Sequence, residues 1–96
     1  ELIRRGAEVY YHAKKNECDF IIKEGLKITS AIQVCLILDN TVTKKREIDG
    51  LIEALKEYQL KEGLILTLDK EEELIVENKK IYIRPVWKWL LEKNQN

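Results

Sequence analysis

Alternation of apolar and polar positions governs the first part of the chain. From Glu8 to Ala13 the residues Val9, Tyr11 and Ala13 alternate with Glu8, Tyr10 and His12, and the aromatic and β-branched content suits a strand. The polar group Lys14-Lys15-Asn16 predicts a turn, after which Glu17 to Lys23 alternates again with Cys18, Phe20 and Ile22 on one face. Glu24-Gly25-Leu26-Lys27 turns the chain into a longer strand predicted over Ile28 to Leu38, where Ile28, Ile32, Val34, Leu36 and Leu38 share a face with Thr29, Gln33 and Cys35 opposite. The hydrophobic period then changes from two to about 3.6, with Ile48, Leu51, Ile52, Leu55 and Tyr58 at helical spacing. This predicts a helix from Thr43 to Leu60, with Thr43 as N-cap, Gly63 as the stop signal, and Gly50 as an interior glycine costing about 1 kcal/mol relative to alanine.

Gly63 to Leu68 is a continuous apolar run, the pattern of a strand covered on both faces and paired in parallel after a helical crossover. Ile28 to Leu68 therefore reads as a βαβ unit. The charged loop Asp69-Lys70-Glu71-Glu72-Glu73 precedes a short hairpin of Leu74-Ile75-Val76 and Ile81-Tyr82-Ile83 around Glu77-Asn78-Lys79-Lys80. Pro85 suits the first turn of a closing helix that carries Val86, Trp87, Trp89, Leu90 and Leu91. Trp87 and Trp89, two apart on that helix, cannot face the same way, so one is expected to pack on the sheet and the other to be exposed.

Composition narrows the functional classes. With 96 residues, 45% apolar and 35% charged, the chain fits one domain spanning 1–96 with an ordinary core. Seventeen Lys and Arg balance seventeen Asp and Glu, so any nucleic-acid contact has to come from a local patch, for which Lys44-Lys45-Arg46 is the candidate. The longest apolar stretches are too short to cross a bilayer and the N-terminus has no secretory apolar region, which reads as a cytoplasmic chain without a membrane partner. Two cysteines outside CxxC or CxxH spacing point to reduced thiols. Leu2 to Gly6, without an initiating Met, looks like the last turn of a helix ended by glycine, as in a fragment of a longer protein.

Strand register gives the candidate chemistry. Matching the even-numbered faces of the second and third strands requires opposed residue numbers to sum to about 52, which sets Asp19 opposite Gln33, with Cys35 two residues further on the same face. The same reasoning for the first hairpin sets Val9, Tyr11 and Ala13 against Ile22, Phe20 and Cys18, and His12 against Asp19. Cys18, on the opposite face from Cys35, reads as a small buried residue. Asp19 and Gln33 offer oxygen ligands for a hard divalent cation. Such a set also fits an ordinary polar surface of a sheet.

The runs Glu8-Val9-Tyr10-Tyr11, Glu17-Cys18-Asp19-Phe20-Ile21-Ile22, Ile32-Gln33-Val34-Cys35, Thr43-Lys44-Lys45-Arg46-Glu47-Ile48 and Ile83-Arg84-Pro85-Val86-Trp87-Lys88-Trp89-Leu90-Leu91 together resemble the C-terminal domain of prokaryotic AAA-type ATPases of the archaeal-type family. That domain is in turn similar to the PD-(D/E)XK, or restriction-endonuclease-like, fold. The resemblance implies an α/β (α+β mixed-sheet) class: a three-strand antiparallel meander, a crossover helix, a parallel strand, and here a C-terminal hairpin and short helix. In nucleases of that fold an Asp and a (Glu/Gln)-x-Lys bind Mg²⁺ and activate water, often with a Glu from the preceding helix. Asp19 matches the Asp and Gln33 the (Glu/Gln), but Cys35 stands at the Lys position, and the helix Glu would be Glu1 or lie before it. A thiol with a pKa of about 8.5 supplies no fixed positive charge. No Walker A pattern occurs in the sequence, so nucleotide binding would belong to another part of a parent ATPase.

The resulting expectation is a degenerate, non-catalytic nuclease-like accessory domain, partnered by a parent ATPase domain or by DNA, with no cofactor of its own. The alternatives are an active Mg²⁺-dependent nuclease with a lysine relocated to Lys23, Lys44 or Lys45, and a pure interaction module. In the last case a second copy or another protein would meet a sheet edge or the Trp87/Trp89 helix.

Overall fold

The computed structural model describes residues 7–13, 17–38 and 40–93, with residues 7–13, 17–19 and 93 described by their backbone alone. The strands are β1 (Ala7–Ala13), β2 (Glu17–Glu24), β3 (Lys27–Val34), β4 (Glu62–Thr67), β5 (Glu72–Val76) and β6 (Lys79–Pro85), and the helices are α1 (Thr41–Glu57) and α2 (Val86–Lys93). They build a mixed six-stranded sheet in the order β1-β2-β3-β4-β6-β5. The first three strands form an antiparallel meander, β4 runs parallel to both β3 and β6, and β5 closes the far edge antiparallel to β6. The mixed α+β architecture is the one expected. The expected Leu2–Gly6 helix end and the Lys14–Asn16 turn lie outside the described residues.

Each face of the sheet carries its own core. Under α1, Ile21, Ala31, Ile65, Ile81 and Ile83 pack with Leu51, Ile52, Ala54 and Leu55 of the helix. On the other face Ile32, Leu66 and Trp89 are buried together, joined by Phe20, Ile22, Val34, Leu64, Val86 and Leu90. Burying a large apolar side chain of this kind contributes about 1.5–3 kcal/mol relative to exposure, so the two helices are what make the sheet stable in water. The lack of a surface face in the β4 sequence follows directly: Ile65 and Thr67 lie fully buried while Leu66 is covered on the opposite side. Gly63 permits this close approach, because a Cβ there would lie 2.9 Å from the Leu51 side chain.

Three boundaries differ from expectation for local reasons. The third strand ends at Val34, not at Leu38: Leu36 and Ile37 are exposed and Leu38 returns to the core. The N-cap of α1 is Asn40 rather than Thr43. Its backbone is extended and its Oδ1 accepts from the N–H groups of Val42 at 2.7 Å and Thr43 at 3.3 Å, satisfying donors that the helix leaves open. The helix stops at Glu57, before Gly63 is reached, because Gln59 takes a left-handed φ of 58°. The Leu60 N–H then donates to the Leu55 carbonyl at 2.8 Å and the Gln59 N–H to that of Lys56 at 3.4 Å, which is a Schellman closure without glycine. The β5–β6 hairpin similarly turns on Glu77 and Asn78, both at positive φ.

One tryptophan packs and the other does not, as the two-residue spacing requires: Trp89 is 8% exposed and Trp87 59%. Trp89→Ala is expected to cost about 3–5 kcal/mol in urea unfolding, whereas Trp87→Ala should stay within about 0.5 kcal/mol. Equal losses would contradict the packing described. Gln59→Gly removes a left-handed non-glycine residue and should raise stability by about 0.5–1 kcal/mol, read as a higher urea midpoint with an unchanged slope.

Candidate functional site

The β2–β3 ladder keeps the register required by face matching. Phe20 pairs with Ile32, Ile21 with Ala31 and Ile22 with Ser30 before an irregularity at Thr29 shifts the last pairs by one. Asp19 directly precedes Phe20 and Gln33 directly follows Ile32, so each lies one residue beyond the last pair of the ladder, Phe20 with Ile32. The β1–β2 ladder behaves differently. Val9 pairs with Ile22 and Tyr10 with Ile21 as expected, but His12 pairs with Cys18 and Ala13 with Glu17. Between these pairs Asp19 and Phe20 together stand against Tyr11 alone, the pattern of a β-bulge on β2. The expected His12–Asp19 pairing is therefore corrected. An extra residue in one strand moves every later partner by one, and the bulge falls at the candidate acid itself.

Gln33 sits on the α1-covered face and is 3% exposed. Its Nε2 donates to Glu47 Oε1 at 3.1 Å and to the Glu47 main-chain carbonyl at 3.3 Å. A buried amide stranded from water would cost about 1–3 kcal/mol, and the first turns of α1 supply the acceptors that prevent this. Glu47 was not singled out from the sequence as part of the site. Its signal was present, because Glu47 lies one helical turn before Leu51 and therefore on the sheet-facing stripe of α1.

Cys35 follows the last residue of β3, with its N–H donating to Leu66 O at 2.9 Å and its side chain packed against the α1-side core. Cys35 is not in a disulfide, and its Sγ donates to Ile37 O at 3.3 Å. The sulfur is thus half-buried and turned onto the local backbone, an arrangement for a small neutral group. Gln33 and Glu47 thus form one linked pair, while the Cys35 thiol is bonded to the local backbone.

Two of the basic candidates, Lys44 and Lys45, are engaged with carboxylates. Lys44 Nζ lies 2.8 Å from Glu72 and Lys45 Nζ 2.8 Å from Asp49. The bond to Asp49, and then its negative charge, raise the Lys45 pKa above the ordinary lysine value. Any stability from that pair is present below the ordinary lysine range and is lost only as pH rises through the raised value. Arg46, the third member of the run, is exposed. Lys23, the other candidate for a relocated charge, lies half-buried on β2. Elsewhere Glu71 accepts from Lys88 at 2.6 Å and Arg84 at 3.5 Å, and Lys80 and Arg84 flank the Tyr82 ring at 5.6 and 5.2 Å. Such exposed ion pairs are worth little individually.

Among the described residues no three His, Cys, Asp or Glu side chains form a group suited to a metal ion. No family model, curated protein or solved structure matches the chain.

A double-mutant cycle tests the Gln33–Glu47 link. Gln33→Leu alone should destabilise the domain by about 1–3 kcal/mol by leaving the carboxylate without its donor. Combined with Glu47→Ala, the pair should show a coupling of about 0.5–3 kcal/mol in chemical denaturation, and strict additivity would refute the contact.

Proposed function

We propose that this chain is a nuclease-like accessory domain of a larger AAA-type ATPase that no longer cleaves phosphodiesters and acts through protein contacts. The observation that carries the reading is Cys35. The order of elements from β1 to β4 fits a restriction-endonuclease-like core, and within that frame the thiol stands where hydrolysis needs a fixed cation. In such chemistry a divalent metal lowers the pKa of bound water and a neighbouring lysine stabilises charge developing on the phosphate. Cys35 Sγ donates to the Ile37 carbonyl instead, and the Gln33 amide is fastened to Glu47. Lys44 and Lys45, two of the three residues from which a replacement charge could come, already face carboxylates.

The choice of protein contacts over DNA rests on two features. Lys44, Lys45, Arg84 and Lys88 each face an acidic partner, which weakens their attraction to a phosphate backbone. In contrast, the carboxyl ends of the parallel strands β3, β4 and β6 carry exposed apolar side chains: Leu36 is 52% exposed, Ile37 68%, Leu68 59%, and Trp87 and Leu91 on α2 59% and 57%. A main-chain bond from Leu68 N to Leu36 O, 3.0 Å long, joins two of them. Exposed apolar side chains gathered on one surface are characteristic of interaction sites, and the proposed contact would use these.

The active-nuclease alternative is separated from this reading by a direct assay. Purified protein incubated with plasmid and linear DNA in millimolar Mg²⁺ or Mn²⁺ is expected to leave both intact. Metal-dependent cleavage that disappears in Asp19→Ala would overturn the proposal. Cys35→Lys restores the missing charge at the half-buried site and is expected to confer measurable metal-dependent nicking if its circular dichroism matches the parent. A folded, inert variant would show that more than the cation has been lost.

A further inference from the structure

No further inference is drawn: the strongest candidate, the exposed apolar row of Leu36, Ile37, Leu68, Trp87 and Leu91 at the carboxyl ends of β3, β4 and β6, is an unpartnered face, and nothing in the structure shows what covers it.

Discussion

Strands β3 and β4 are covered on both faces, and this double coverage governs where polar chemistry can exist in the domain. Ala31 and Gln33 lie beneath α1 while Ile32 lies in the α2-side core, so neither face of β3 is left to water along that stretch. A polar side chain there has to find an internal partner or be a liability of several kcal/mol. Gln33 meets that requirement through Glu47. The same bond ties the first turns of α1 to the centre of the sheet, so the candidate site and the crossover packing are one structural feature. Thr67 solves the equivalent problem on β4: fully buried, its Oγ1 donates to Lys70 O at 2.8 Å and accepts from Lys70 N at 3.0 Å.

Much of the architecture was legible because hydrophobic periodicity reports which faces are buried. The apolar positions of β2 from Phe20 on and of β3, the helical stripe of α1, the unbroken apolar run of β4 and the opposition of Trp87 and Trp89 all express burial directly. What escaped depends on backbone conformation rather than on burial. Gln59 ends α1 from the left-handed region, which no composition rule assigns to glutamine, and Asn40 caps it because its backbone is already extended. The bulge opposite Tyr11 arises where β1 and β2 fit their twists together, and alternation alone cannot reveal one extra residue. The exposed Leu36 and Ile37 escaped for the opposite reason. They continue the apolar pattern of β3 past the end of the strand at Val34.

The candidate site was legible in part. Face matching between β2 and β3 predicted the observed register from Phe20 to Ile22, and hence the neighbourhood of Asp19 and Gln33. It did not reveal that Gln33 is claimed by Glu47, since that requires knowing which helix face lies over the sheet. Nor did it reveal that Lys44 and Lys45 are partnered. These additions point in one direction. Amide, thiol and lysines are each engaged within the fold, while the open surface at the strand ends is apolar. A site that hydrolyses phosphodiesters needs a concentrated, uncompensated positive charge, whereas a protein-contact surface needs exposed apolar area. The proposed role follows the second requirement.

The whole reading rests on the β2–β3 register at the bulge, where a slip of one residue would move Asp19 to the other face of the sheet. Cross-strand nuclear Overhauser contacts in isotopically labelled protein report that register directly. The account predicts backbone contacts between Asp19 and Gln33, continuous with those of Phe20 with Ile32. Contacts that pair Asp19 with Ile32 or Val34 instead would separate the acid from the amide and contradict the site.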